Sequence, residues 1–183
     1  FISKKENFEI TYSAEPKIDG ISASLIYQNG KFIKGLSRGD GNEGEDITDN
    51  LATIKDIPKK IISKNFPTEI DIRGEVFIQN SDFVTLNKNF ANPRNAASGS
   101  LRQKDPEETR KIPLKFIAYT HGYEKGLNTK NQSDYLKQLN EWGFKTNSLN
   151  RIITGVKNLL INYENVEKKR TELDFDIDGI VYK

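Results

Sequence analysis

The sequence predicts an α+β fold, with antiparallel sheets on either side of a cleft and helices outside them. Residues 21–27 and 69–78 alternate apolar with polar side chains, which is typical of strands with one buried face. Residues 133–142 and 156–166 repeat apolar side chains at spacings of three and four, which is typical of amphipathic helices. A chain of 183 residues with 35% hydrophobic content can bury one core, so we expect a single domain over residues 1–183.

Composition excludes several kinds of site. The chain has no cysteine, which excludes disulfides and thiolate-ligated zinc, and its single histidine, His121, cannot form a histidine metal cluster. The formal net charge is only +2, so any binding of nucleic acid must come from a local patch. No apolar run approaches the roughly 20 residues of a membrane span, so we expect a soluble cytoplasmic protein. The chain begins at Phe1 and contains no methionine, which is typical of a piece of a longer protein.

The segment EPKIDG, residues 15–20, joins a hydrophobic opening segment to the first alternating run. Pro16 favours an extended backbone, in which side chains two apart point the same way, so Glu15 and Lys17 are predicted to share one face. We expect the lysine between two strands. A lone lysine is usually an exposed surface cation, and this is the alternative for Lys17.

A β-hairpin is predicted over residues 21–38. Asn29 and Gly30 form a two-residue turn signal of type I′, so Gln28 should pair with Lys31. The same register places Arg38 opposite Ile21 and returns it to the neighbourhood of Lys17. A solvated charge at a strand end is the alternative for this arginine. A helix is predicted after the glycine-rich acidic loop, over residues 48–54.

The strand over residues 69–78 has one apolar and one charged face. Gly74 permits a close approach of the backbone, and Glu75 can accept hydrogen bonds from a sugar. These features favour a cleft, but a polar edge facing solvent explains the alternation equally well. After it, residues 81–87 read as the start of a helix capped by Ser81.

Residues 88–115 contain seven basic and three acidic residues, a local charge of +4 that exceeds the net charge of the whole chain. Within this stretch, FANPRNAASGSLRQ (residues 90–103) is rich in small and amide side chains and carries Arg94 and Arg102. A phosphate backbone is a plausible partner for such a patch. An ordinary solvated loop is the alternative.

The last third of the chain alternates strands and helices. A buried-type strand is predicted from residue 113 to Tyr119. The Tyr119 side chain is either part of the core or one wall of a slot in which a base stacks. The helix over residues 133–142 should be capped by Ser133 and ended by Gly143, with Trp142 in the core. The final strand-like run, residues 175–183, places Val181 and Lys183 on one face. An apolar side chain beside a lysine suits a nucleotide, because the base can contact the first and a phosphate can lie near the second.

Seven segments occur in the order found in bacterial NAD⁺-dependent DNA ligases, and they span nearly the whole chain: EPKIDG, SRGDGNEGEDIT, RGEVF, FANPRNAASGSLRQ, FIAY, WGF and DFDIDGIVYK. The chain therefore resembles the adenylation domain of that family, a covalent nucleotidyltransferase with an ATP-grasp-like fold. FANPRNAASGSLRQ is the most specific segment, since it resembles this family and not ATP-dependent ligases or capping enzymes. Tyr182 stands where the family more often has an aliphatic residue, which we expect to affect packing only.

The resemblance implies a three-step reaction. Lys17 attacks the α-phosphate of NAD⁺ to form lysyl-AMP, the AMP passes to the 5′-phosphate of nicked double-stranded DNA, and the nick is sealed with release of AMP. It implies Mg²⁺ or Mn²⁺ as a cofactor, although no ligand set in the sequence identifies a metal site. It also implies a bacterial, monomeric ligase whose other domains lie outside residues 1–183, so that this fragment alone should react poorly with NAD⁺.

The same resemblance implies the contacts to the adenine nucleotide. Glu15 contacts the adenine, Glu75 the ribose, and Tyr119 and Val181 hold the base between them. Contacts to the AMP phosphate or to the DNA backbone are implied for two arginines, Arg94 and Arg102.

Three further charged residues are expected to act on the nucleophile, Lys17. A free lysine has a pKa of about 10.4, so attack near neutral pH requires that nearby cations or desolvation lower it. Arg38 and Lys183 are candidates for that role and for stabilising charge on the α-phosphate. Asp19 is expected to support the lysine or its metal.

Two alternatives stay open. One is an ATP-dependent ligase or a capping-type nucleotidyltransferase, which residues 90–103 disfavour. The other is a catalytically silent nucleic-acid-binding module that kept the fold. Five charged residues of the predicted site are present and argue against it: Glu15, Lys17, Arg38, Glu75 and Lys183.

Overall fold

The computed structural model describes residues 9–38, 44–86 and 90–183. In these ranges the chain forms two antiparallel sheets and several helices, in the order β1 (Thr11–Ile18), β2 (Ile21–Gln28), β3 (Lys31–Ser37), α1 (Thr48–Leu51), β4 (Glu69–Ile78), α2 (Asn80–Phe83), α3 (Pro93–Leu101), α4 (Pro106–Arg110), β5 (Leu114–Lys125), α5 (Gln132–Glu141), β6 (Arg151–Thr154), α6 (Val156–Lys169), a 3₁₀ turn (Arg170–Glu172) and β7 (Ile177–Tyr182). The predicted α+β class is confirmed. Among the helices in these ranges, none has both the length and the apolar character needed to cross a membrane.

The two sheets share no strand and meet at the connection between β1 and β2. The smaller sheet has the order β6-β1-β7 and the larger the order β3-β2-β4-β5. Only Asp19 and Gly20 separate β1 from β2, so the chain passes from one sheet to the other at this point. Lys17 lies inside β1 and not between two strands as predicted, because β1 continues to pair with β7 as far as Ile18.

The hairpin of β2 and β3 forms around the predicted turn, but its register differs from the predicted one. Asn29 and Gly30 both have positive φ, 48° and 74°, and Gln28 pairs with Lys31 as expected. A bulge then leaves Ile33 without a partner, and Ala23 pairs with Ser37. The predicted register pairs Ser37 with Ser22 and not with Ala23, so the register that placed Arg38 opposite Ile21 was wrong by one residue.

The core lies between the larger sheet and the helices that pack against it. The apolar faces predicted for β2 and β4 are buried: Leu25, Tyr27, Ile72 and Val76 are all 0% exposed. Trp142, at the end of α5, is 4% exposed, which confirms its predicted place in this core. Full burial of such side chains contributes about 1.5–3 kcal/mol each, so these residues fix the position of the sheet.

Three helix boundaries differ from the predicted ones. Asn131, and not Ser133, caps α5 by accepting a hydrogen bond from the backbone N–H of Asp134 at 2.9 Å. α2 begins at Asn80, and the Ser81 N–H donates to Asp174 Oδ1 at 2.8 Å. α1 stops at Leu51, before the predicted residue 54. The predicted end of α5 at Gly143 is confirmed by a φ of 92°.

α6 forms as predicted, but most of its apolar stripe is not covered. Val166 is buried, whereas Val156, Leu160 and Tyr163 are 69%, 63% and 47% exposed. Tyr182 packs against this helix through a hydrogen bond of 3.1 Å from its hydroxyl to Leu159 O. This contact agrees with the packing role expected for Tyr182.

Two glycines allow strands to come closer than any side chain would permit. A Cβ on Gly74 would lie 2.2 Å from the Phe116 ring, so the close approach predicted at this glycine is made by the protein core and not by a ligand in the cleft. A Cβ on Gly20 would lie 2.4 Å from Val76 O and 2.8 Å from Glu75 Cγ. Gly20 therefore sets how closely the connection between the two sheets packs against β4.

Gly20→Ala should lower the free energy of unfolding by about 2 kcal/mol, because the added methyl meets a backbone carbonyl that cannot move without disturbing β4. Urea unfolding followed by circular dichroism measures the change. An unchanged midpoint would contradict the close packing of this connection.

Candidate functional site

A cavity of about 740 Å³ lies between the two sheets, within the size range of small-molecule sites. β1 and β7 form one wall, β2, β4 and β5 the other, and α3 closes one side. Nine of the ten residues predicted for the site line it: Glu15, Lys17, Arg38, Glu75, Arg94, Arg102, Tyr119, Val181 and Lys183. The tenth, Asp19, contacts the cavity wall through Arg94.

The wall formed by β1 carries Glu15 and Lys17 two residues apart on one face, as predicted. Glu15 is only 4% exposed, and its carboxylate accepts hydrogen bonds from Ser13 Oγ and Lys183 Nζ, both at 2.8 Å. The Lys17 ammonium is half exposed and forms an ion pair of 2.7 Å with Asp178 Oδ2. A buried acceptor and an accessible amine therefore stand side by side along the strand.

Lys183 lies at the Glu15 end of the cavity, away from Lys17. Its Nζ also donates to Tyr119 O at 3.1 Å and stands 5.5 Å from the centre of the Tyr119 ring. The register of β1 with β7 explains this, since Lys17 pairs with Gly179 and Ser13 with Lys183. Four residues of strand separate the two positions by about 13 Å. The cation predicted to act on Lys17 is thus placed on the carboxylate of Glu15.

The opposite wall brings together Ser22, Glu75 and Tyr119. Ser22 pairs with Glu75 across β2 and β4, and its hydroxyl forms a hydrogen bond of 3.0 Å with the Tyr119 hydroxyl. Burial raises the pKa of Glu75 to about 7, although the positive charges of Arg94 and Lys17 act in the opposite direction. Burial also raises the pKa of Tyr119. This wall therefore presents a carboxyl that changes charge near neutral pH.

The two arginines of α3 and its C-cap point into the cavity while paired with carboxylates. Arg94 donates to Asp19 Oδ1 at 2.8 Å, and this hydrogen bond raises the pKa of the guanidinium. Arg102 forms an ion pair of 3.2 Å with Glu45. Both pairs are half exposed, so an anionic ligand can replace the carboxylates at little cost. Asp19, expected to support the lysine or its metal, accepts this hydrogen bond from Arg94.

Residues that the sequence reasoning did not single out also contribute to the site. Asp178 pairs with Lys17, Ser22 holds the Tyr119 hydroxyl, and Ser13 holds Glu15. Strand parity was the available signal for Ser13, which shares the face of Glu15. Asp178 was not predictable in this way, because its contact with Lys17 requires the pairing of two strands 161 residues apart.

No cluster of three or more histidine, cysteine or acidic residues able to hold a metal occurs in residues 9–38, 44–86 and 90–183. One end of the cavity has an aromatic side chain, Tyr119, a buried carboxylate, Glu15, and a lysine, Lys183. Lys17 and the arginines line the rest of its walls. Such a site can bind an aromatic ring and an attached anion together.

Comparison with solved structures finds a protein with a similar fold. A putative ATP-dependent DNA ligase from Aquifex aeolicus superimposes over 98% of this chain and 42% of its own, with a TM-score of 0.53 and 15% identity. This likeness shows the fold alone. The chain therefore has an α+β fold, with a lysine-containing cleft between its sheets, that also occurs in a putative DNA ligase.

Sequence comparison shows the family. The profile of the NAD-dependent DNA ligase adenylation domain matches residues 2–183, and the chain belongs to this family. The DNA ligase of Pelagibacter ubique is 69% identical over the whole chain, and that of Gluconobacter oxydans is 48% identical over 95% of it. The chain spans 27% and 26% of the length of these relatives.

Glu75 should make the stability of the chain fall as pH rises. The pKa of Glu75 is about 7 in the folded chain and 4.5 in the unfolded chain. Between these pH values the folded chain holds a proton that the unfolded chain has lost. Stability is therefore lost from about pH 4.5 to 7. Glu75→Gln should stabilise the chain by about 2 kcal/mol more at pH 8 than at pH 4.5, after allowance for partial exposure.

Urea unfolding at a series of pH values measures this difference. Glu69→Gln is the matched control, since it removes a carboxyl from the far end of β4, outside the cavity, and leaves Glu75 in place. The control should keep the pH dependence of the unmodified chain. An equal effect of Glu75→Gln at both pH values would contradict the assignment.

Proposed function

We propose that this chain forms a covalent lysyl-AMP on Lys17 from NAD⁺, as the adenylation domain of a DNA ligase. The observation that carries the proposal is the position of Lys17 on β1, in the cavity and two residues from the buried carboxylate of Glu15. Membership in the family of NAD-dependent DNA ligase adenylation domains supports NAD⁺ as the AMP donor.

The adenine occupies the end of the cavity formed by Glu15, Tyr119, Val181 and Lys183. Val181 pairs with Glu15 across β1 and β7 and is 38% exposed, so an apolar surface is available to one face of the base. The Tyr119 ring offers the other face. The Glu15 carboxylate accepts a hydrogen bond from the base, and Lys183 fixes that carboxylate from the opposite side.

The ribose lies beside Glu75 and Arg38, and the α-phosphate beside Lys17 and Arg94. The positive charges of Arg94 and Lys17 both lower the pKa of Glu75, and all three side chains line the cavity. Phosphate oxygens are good acceptors for guanidinium groups, so binding exchanges the pair of Arg94 with Asp19 for contacts to the phosphate. Arg102 is placed to do the same in exchange for Glu45.

The reaction then proceeds by displacement at phosphorus. Lys17 Nζ loses a proton and its lone pair forms a bond to the α-phosphorus, while the bond from that phosphorus to the bridging oxygen breaks. The electron pair leaves with nicotinamide mononucleotide. The cations around the cavity stabilise the charge that develops on the phosphate oxygens. Asp178 holds the amine in the free chain and is placed to accept the released proton.

Mg²⁺ or Mn²⁺ fits the site as a cofactor shared with the substrate. Magnesium is commonly held by one or two carboxylates together with phosphate oxygens. Asp19 is the carboxylate that would hold it, since Arg94 leaves Asp19 when it turns to the phosphate. The metal would supply Lewis-acid stabilisation of the phosphate charge.

The later steps involve nicked double-stranded DNA as partner. The AMP of the adduct passes to the 5′-phosphate of the nick, and the 3′-hydroxyl displaces AMP to seal the strand. The half-exposed guanidinium groups of Arg94 and Arg102 face the cavity and suit contacts to a phosphate backbone. Sealing of DNA, a monomeric state and a bacterial cytoplasmic setting belong to this proposal for the longer ligase.

Lys17→Ala should abolish the AMP adduct, because no other amine replaces the nucleophile on this face of β1. The adduct is measured as a mass increase after long incubation with NAD⁺ and Mg²⁺. Lys34→Ala is the control, since Lys34 lies on β3 in an exposed pair with Asp46, and it should keep the adduct. An adduct of equal yield in Lys17→Ala would contradict the proposal.

Glu15→Ala should weaken binding of AMP by at least about tenfold, because it removes the buried acceptor for the base and leaves Lys183 without its carboxylate. Calorimetric titration with AMP measures the affinity. Affinities of the unmodified chain and the variant within about twofold of each other would contradict the assignment of the base to this end of the cavity.

A further inference from the structure

Ser13 is a buried polar residue that the proposed reaction does not use directly. It is 5% exposed and lies on β1 two residues before Glu15, on the same face. Its hydroxyl donates to Glu15 Oε1 at 2.8 Å. Ser13 does not line the cavity, so any effect it has on a ligand must pass through Glu15.

The backbone places Ser13 directly beside Lys183. The Ser13 N–H donates to Lys183 O at 2.9 Å, and the Lys183 N–H donates to Ser13 O at 3.0 Å. Directly paired residues of antiparallel strands project from the same face. Both side chains therefore reach the same carboxylate, Ser13 from its own strand and Lys183 from the neighbouring one.

Each oxygen of Glu15 has one donor of its own. Ser13 Oγ contacts Oε1 and Lys183 Nζ contacts Oε2, so the plane of the carboxylate is fixed at two points. The terminal torsion angle of a glutamate otherwise has a broad distribution. With a single donor, the carboxylate could still rotate and move its second oxygen. A carboxylate has about four acceptor positions, which leaves capacity for a ligand.

We propose that Ser13 is a positioning residue that orients Glu15 to accept a hydrogen bond from the 6-amino group of the adenine. The inference rests on the proposed function, in which this end of the cavity holds the base. An N–H donor on the base is recognised well only if the acceptor is already oriented, because orienting it on binding costs rotamer entropy. Ser13 thereby contributes to the preference for a base that carries an amino group.

The test compares two nucleotides that differ in this group alone. AMP carries the 6-amino group, and purine riboside 5′-monophosphate has hydrogen in its place. Ser13→Ala should weaken AMP binding by about five- to tenfold and change binding of the analogue by less than about twofold. The readout is the dissociation constant of the analogue divided by that of AMP, both measured by calorimetry, so a larger ratio means a stronger preference for AMP. General damage to the fold would weaken both ligands equally and leave this ratio unchanged.

Thr11→Ala is the matched control. Thr11 lies on the same face of β1, and its hydroxyl pairs with Thr154 at 2.8 Å, away from Glu15, so removal of this hydroxyl should leave the ratio unchanged. Ser13→Cys keeps the shape of the side chain with a weaker donor, and its ratio should lie between those of the unmodified chain and Ser13→Ala.

Three outcomes overturn the inference. An unchanged ratio in Ser13→Ala would show that Ser13 does not orient the acceptor, while a preference for AMP in the unmodified chain would leave the proposed function intact. A ratio for Ser13→Cys below that of Ser13→Ala would contradict the role of the hydroxyl donor. Equal binding of the two nucleotides by the unmodified chain, or binding of neither, would overturn both this inference and the assignment of the base to Glu15.

Discussion

The antiparallel pairing of β1 with β7 is the interaction on which the site depends. It sets Glu15 beside Val181 and Lys17 beside Gly179, although these residues are more than 160 positions apart in the chain. Closing a loop of this length costs entropy, which the strand hydrogen bonds and the burial of Ile18 and Ile177 offset. The wall formed by β1 and β7 is therefore complete only after β7, the last strand, has paired with β1.

The two ends of the cavity differ in how firmly their charged groups are held. At the Glu15 end, the pair of Lys183 with Glu15 is 29% and 6% exposed, and both oxygens of the carboxylate have donors. At the Lys17 end, the pair of Lys17 with Asp178 is 56% and 41% exposed. Exposed pairs contribute little free energy, whereas buried ones are costly to separate. This contrast suits a site whose base pocket is formed in advance and whose cations exchange partners when a phosphate binds.

Much of the fold followed from local patterns in the sequence. Alternation of polar and apolar residues predicted β2 and β4, the Asn29–Gly30 turn predicted the hairpin, and Gly143 predicted the end of α5. These features depend on the conformational preferences of a few neighbouring residues, so they are visible without the tertiary structure. The caps of α2 and α5 were missed because several polar residues stood near each start, and only the backbone geometry selects among them.

The sequence by itself determined most of the residues of the candidate site, since nine of the ten predicted residues line one cavity. Tertiary structure alone decided which of them touch. The bulge at Ile33 shifted the register of Arg38, and the pairing of β7 with β1 placed Lys183 on Glu15 and Asp178 on Lys17. The physical reason is that residue type and spacing constrain a strand only locally. Contacts between strands depend on register, and a shift of one residue moves each side chain to another partner.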